Sequence, residues 1–230
     1  MKIRAVLFDL DGTLLDRRVT FRNHLQLQVQ RLANLFSDAG GDLVDRMLVL
    51  DDNGSAPRHE FYRLIEAEFS LPRGTSARLL EDFEAHFPES CMPVPNLSVT
   101  LNALRKAGFK LGLITNGRVL IQGRKIDGLG IRHLLDVVVI SESAGVRKPD
   151  PRIFADALTR LGVVPSAAAY VGDNPDVDVL GAKRSGLFAI WKRDSFWTEP
   201  SDCDCVIDDL NELPSVVLAF AADSPASVTA

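Results

Sequence analysis

Residues Val6-Leu7-Phe8 form a short apolar run, and Asp9-Leu10-Asp11-Gly12-Thr13-Leu14-Leu15-Asp16 follows it without a break. The run reads as a buried strand, so two carboxylates two residues apart at its mouth need a physical reason. Side chains at i and i+2 lie on the same side of a strand. Two unpaired negative charges that close repel and raise one pKa. A bound cation answers this, and carboxylate oxygens suit Mg²⁺. Gly12 lets the chain turn sharply without a Cβ clash. Thr13 offers a hydroxyl and a backbone N–H where a phosphate could sit.

From residue 97 onward, short apolar runs alternate with helix-period segments. The sequence predicts strands at Ile3–Phe8, Lys110–Thr115, Asp136–Ser141, Ala168–Gly172, Leu187–Lys192 and Cys205–Ile207. Helices are predicted near 97–107, 119–129, 151–161, 176–185 and 209–220. Continuous apolar strands separated by helices imply a parallel sheet covered on both faces. Asp150 reads as the cap of a helix beginning at Pro151, and Gly162 as its close. Ligands of open α/β sheets bind at the carboxyl ends of strands. Asp9, Thr115, Lys148 and Asp173 all fall at or beyond such ends.

Residues 17–89 read differently. Val19–Phe36, Leu43–Leu50, Arg58–Phe69 and Thr75–His86 suggest helices with no β-branched runs between them. Asp16-Arg17-Arg18 marks the entry to this block, and Pro88, Pro93 and Pro95 mark the return. The fold class expected is α/β, a Rossmann-like doubly wound parallel sheet with an inserted all-helical domain. Residues 1–16 and 90–230 form the α/β core and 17–89 the insertion. The tail Ala221–Ala230 reads as loosely ordered.

Asp9–Thr13 resembles the first motif, DxDGT, of the haloacid dehalogenase superfamily. Three further segments resemble its later motifs, in the same order: Ile114-Thr115-Asn116-Gly117, then Arg147-Lys148-Pro149, then Val171-Gly172-Asp173-Asn174-Pro175-Asp176-Val177-Asp178. Singly, each has a plain structural reading: Asn116-Gly117 is a turn pair, Lys148 a surface lysine, and Asp173-Asn174-Pro175 a loop and helix cap. Together, in order and at strand ends, they favour a site.

The resemblance implies a phosphatase-type hydrolase with a helical C1 cap. It implies Asp9 as nucleophile and Asp11 as general acid and base. Asp9, Asp173 and the backbone carbonyl of Asp11 would hold Mg²⁺, with Asp178 in support. Lys148, Thr115 and Asn116 would face the phosphoryl oxygens. A second carboxylate at Asp11 favours phosphoryl over carbon–halogen chemistry. The expected partner is a small phosphorylated metabolite of the phosphoglycolate, sugar phosphate or nucleotide class. A phosphoglucomutase-like phosphotransferase and a non-enzymatic phosphometabolite-binding protein stand as alternatives.

A net charge of −5 with no basic stripe argues against nucleic acid and acidic membrane surfaces. No stretch approaches the ~18 apolar residues of a membrane helix. A cytoplasmic home is therefore expected, with reduced thiols at Cys91, Cys203 and Cys205. Arg17, Arg18, Asn53, Arg58, His59 and Arg63 are candidate substrate contacts from the insertion. His24 and His86 read as helix-surface residues, Lys125 as a surface lysine that could instead face the site, Asp176 as a helix starter, and Trp191 and Trp197 as packing residues.

Overall fold

The computed structural model describes residues 2–37, 42–54 and 57–222, without the side chains of residues 53, 221 and 222. The expectation for the tail thus lies outside the described residues from 223 onward, and so does the side chain of Asn53. The chain divides into two compact units, residues 1–15 with 93–230 and residues 16–92.

Among the described residues, six strands form the sheet of the first unit: β1 (Ala5–Phe8), β2 (Lys110–Thr115), β3 (Val137–Ile140), β4 (Ala168–Gly172), β5 (Phe188–Lys192) and β6 (Cys205–Ile207). All pairings are parallel, in the order β3-β2-β1-β4-β5-β6. Every residue of β1 and of β4 is buried. Because successive side chains point to opposite faces, both faces of the central strands are covered. The chain winds outward from β1 in one direction and then from β4 in the other. The switch point, where ligands of such sheets bind, lies between the carboxyl ends of β1 and β4.

The helices of this unit are α5 (Leu97–Lys106), α6 (Val119–Gly128), the single turn α7 (Ser141–Ala144), α8 (Pro151–Leu161), α9 (Leu180–Arg184) and α10 (Leu213–Ala222), numbered after α1–α4 of the second unit, α1 (Arg17–Arg31), α2 (Leu43–Asp51), α3 (Arg58–Glu68) and α4 (Thr75–His86). Helix α8 forms where the sequence places it. Asp150 accepts from the Arg152 N–H, Pro151 opens the helix, and Gly162 closes it at φ 63°. It buries Ile153, Phe154, Ala157, Leu158 and Leu161 on one face, against β2 and β3. Each fully buried Leu, Ile or Phe contributes roughly 1.5–3 kcal/mol.

The helix expected over 176–185 is instead a π-helical turn, Pro175–Val179, running into α9. The one expected from 209 begins as a 3-10 turn capped by a reciprocal Asp209–Glu212 box, and α10 follows it.

The second unit is helical throughout its described regular elements. Asp16 accepts from the Val19 N–H and so caps α1. Arg17 and Arg18 therefore lie in the first turn of a helix rather than in a linker. Helix α1 stops at Arg31, and a 3-10 turn over Ala33–Leu35 replaces the rest of the expected span to Phe36. Phe21, Phe61, Phe83 and Phe87 form its aromatic core. His24 is no surface residue: it is buried among those rings, edge-on to Phe83. No helix among the described residues is long and apolar enough to cross a membrane.

Candidate active site

The loop leaving β1 is tight. The Leu14 and Leu15 N–H groups both donate to the Leu10 carbonyl, and the Gly12 N–H donates to the Leu15 carbonyl. Gly12 sits at φ 90°, in the left-handed region. Space demands glycine there as well: a Cβ would lie 2.6 Å from the Asp173 carboxyl group. The loop after β1 and the residue after β4 are thus pressed together at the switch point.

Asp9, Asp173 and Asp178 converge there. All three are buried, and each offers a carboxylate oxygen within 4.8 Å of the others'. Asp178 reaches the cluster from the π-helical turn because Gly172 lacks a side chain; a Cβ on Gly172 would stand 2.3 Å from the Asp178 Cβ. Thr13 Oγ1 donates to Asp173 Oδ1 at 3.2 Å.

Lys148 is the cation of the cluster and is only 2% exposed, so it is no surface lysine. Its ammonium donates to Asp9 Oδ1 at 2.5 Å, to Asp178 Oδ1 at 2.6 Å and to the Tyr170 hydroxyl at 2.9 Å. Burial alone would lower its pKa, but the carboxylates of Asp178 and Asp9 outweigh that and hold it above its ordinary value. Asn116 fixes the lysine's backbone: its Nδ2 donates to the Lys148 carbonyl and its Oδ1 accepts the Lys148 N–H.

Three carboxylates facing one ammonium leave two negative charges uncompensated when all are ionised. Burial raises the Asp9 carboxyl well above the ordinary range, partly relieved by Lys148 and aggravated by Asp178. Burial, then Asp178, pushes the Asp173 carboxyl up to about 7. Buried carboxylates in this state call for a cation, and an all-oxygen donor set suits Mg²⁺. The residues present therefore fit a hard divalent ion.

Thr115 ends β2, and its hydroxyl is buried. Asp11 stands apart from the three-carboxylate cluster. Lys125 Nζ donates to both of its oxygens, at 2.7 and 2.8 Å. Lys125 is 8% exposed and ion-paired, so the surface reading of this residue is wrong. Gln122, unnoticed in the sequence, lies three residues before it on α6. Its signal was the spacing, since i and i+3 share a helix face.

Tyr170, Trp191 and Trp197 also escaped sequence reading as site residues. Trp191 Nε1 donates to the Asp173 carbonyl at 2.6 Å and Trp197 Nε1 to Asp173 Oδ2 at 3.0 Å. Both indoles hold Asp173 as well as pack. Asp176 is exposed, and its N–H, with that of Val177, is capped by Asn174, which leaves it as a helix starter.

Of the candidates in the helical unit, Arg17 and Arg58 both donate to buried Asp51, at 2.7 Å each. Arg58 also lies over Phe21, Phe61 and Phe83. Arg18, His59 and Arg63 are exposed.

A family model described as haloacid dehalogenase-like hydrolase matches residues 3–186. A glyceraldehyde 3-phosphate phosphatase of Methanopyrus kandleri is 38% identical over 236 residues, 96% of this chain and 100% of that one. A phosphoserine phosphatase of Thermus thermophilus is 39% identical over 144 residues, 61% of this chain and 58% of that one. The fold is shared with the hydrolase YfnB of Bacillus subtilis, crystallised with magnesium, at a TM-score of 0.80 and 19% identity, covering 94% of this chain and 99% of that one.

Proposed function

The chain belongs to the haloacid dehalogenase-like hydrolase family and is a phosphoric monoester hydrolase of it, and from that premise we propose a Mg²⁺-dependent phosphatase of small phosphorylated metabolites that works through an aspartyl-phosphate on Asp9. The observation that carries this reading is the buried Asp9–Lys148–Asp178–Asp173 cluster at the β1/β4 switch point.

Asp9 is the nucleophile. Lys148 holds Oδ1, and Oδ2 attacks phosphorus, so one difficult displacement becomes two easier ones. The same ammonium neutralises charge on the transferred oxygens, which is where transition-state stabilisation is needed. The Thr115 hydroxyl and the Asn116 N–H bind those oxygens. In its acid form Asp11 protonates the leaving oxygen, and the carboxylate so formed takes the proton of the water that hydrolyses the intermediate, which returns Asp11 to the acid form. Asp9, Asp173 and the Asp11 carbonyl would hold Mg²⁺, with Asp178 in support; when bound, the ion supplies charge neutralisation and orientation of the phosphoryl group.

Phosphate release from a panel of phosphomonoesters, including glyceraldehyde 3-phosphate and phosphoserine, tests this. Turnover should need Mg²⁺, stop with chelator, and vanish in Asp9→Asn. Turnover that survives chelation would remove the metal from the account.

A further inference from the structure

Helix α6 carries two buried polar side chains, Gln122 and Lys125, and both are aimed at the machinery just described. Gln122 Nε2 donates to Asp11 Oδ2 at 2.9 Å and to Thr115 Oγ1 at 2.6 Å. Both amide hydrogens are thereby used. The facing Asp11 carboxylate decides the amide's orientation, since Oε1 in that place would set two acceptors against each other. A Thr115 hydroxyl that accepts from Gln122 has its own proton left for another acceptor. Lys125 grips Asp11 with contacts to both carboxylate oxygens.

The backbone is built around this bracket. A Cβ on Gly117 would stand 2.8 Å from the Gln122 Cγ, so the glycine after Asn116 makes room for the glutamine. The N-terminus of α6 is tied down separately, the Val119 N–H donating to Glu142 Oε2 at 2.7 Å.

We propose that Lys125 and Gln122 are positioning residues that lock the Asp11 carboxylate and the Thr115 hydroxyl into one rigid unit, so that the proton-transfer group and a phosphoryl donor hold a fixed separation. The proposal rests on the phosphatase reading above. Neither residue is given a contact with the substrate or a proton to transfer; each acts through Asp11 or Thr115.

The test is Lys125→Met with two substrates. An alkyl phosphomonoester needs its leaving oxygen protonated, whereas p-nitrophenyl phosphate loses a phenolate that leaves unprotonated. A displaced Asp11 should slow the alkyl ester by about 10–100-fold in kcat, with KM changed by less than about threefold. On p-nitrophenyl phosphate, transfer to Asp9 stays fast and hydrolysis of the intermediate lags. A burst of p-nitrophenolate near one equivalent per enzyme should therefore appear, larger than in wild type. Lys125→Arg, which keeps a cation able to grip both oxygens, should restore most of kcat.

Near-UV circular dichroism and the Mg²⁺ binding isotherm should match wild type, since Asp9, Asp173 and the backbone carbonyl of Asp11 are untouched and only the Asp11 side chain is released. If the methionine variant does not fold, Gln122→Leu carries the same comparison. Wild-type kinetics in the variant, or equal losses on both substrates without a burst, would overturn the proposal. A wild-type protein inactive on both substrates would overturn the phosphatase reading, and this inference with it.

Discussion

Replacing Lys148 with methionine should unfold the α/β unit far more easily. The methylene stem is kept, but the buried ammonium that serves Asp9, Asp178 and Tyr170 is lost. The three buried carboxylates of Asp9, Asp173 and Asp178 then face one another without the lysine cation. Removing one partner of a buried ion pair costs about 3–5 kcal/mol, because the charge left behind is uncompensated. With a urea m value of roughly 3 kcal/mol/M, the midpoint should fall by about 1–1.7 M at pH 7 in the presence of chelator.

Both tryptophans, Trp191 and Trp197, lie in this unit, so their fluorescence reports its unfolding separately from the helical unit. The pH dependence has a definite sign. The Asp9 carboxyl already titrates above its ordinary value in the folded protein, and loss of Lys148 raises it further. A carboxyl with a raised folded pKa stabilises most when protonated and loses that contribution as pH rises through the folded value. The gap between variant and wild type should therefore narrow as pH is lowered from 7 toward 4. A variant within 0.5 kcal/mol of wild type at pH 7, or a gap that does not narrow, would refute the reasoning.

Gly12→Ala should cost several kcal/mol of stability and most Mg²⁺ affinity, as seen by calorimetry, because the new methyl meets the Asp173 carboxyl at 2.6 Å and φ is 90°. Mg²⁺ should bind more weakly as pH falls through about 7, where the Asp173 carboxyl takes a proton; a pH-independent isotherm between 5.5 and 8 would contradict this. Burial holds His24 at about 3 with both ring nitrogens unpartnered among the described residues. A base with a lowered folded pKa stabilises above its unfolded value and loses that contribution as pH falls, so the helical unit should weaken below about 6.5, by up to about 1.4 kcal/mol per unit. Far-UV circular dichroism of wild type and His24→Phe would reveal it, with the variant insensitive over that range.

The sheet was legible because its strands are short apolar runs, with β1 and β4 buried along their whole length, a pattern that survives without knowledge of neighbours. Helix α8 was legible from its caps. Lys148 and Asp173 were found by motif order, although singly each looked like surface or loop. Lys125, Gln122 and Trp197 were hidden for a different reason. Their roles come from which residue they meet across the fold, 114 positions away for Lys125 and Asp11, and nothing local separates such a lysine from a solvated one. His24 misled in the same way: a polar residue on a helix reads as exposed until the rings around it are placed. The π-helical turn at Pro175–Val179 was missed because its geometry serves to bring Asp178 back against Gly172.

The central claim is that Asp9 attacks phosphorus. Rapid acid quench during turnover of a good substrate with Mg²⁺, followed by peptide mass spectrometry, tests it most directly. A phosphoryl group on the Asp9 peptide, sensitive to hydroxylamine and absent in Asp9→Asn, is the predicted result. Sustained turnover with no phosphorylated peptide, or with the label on another residue, would contradict the account.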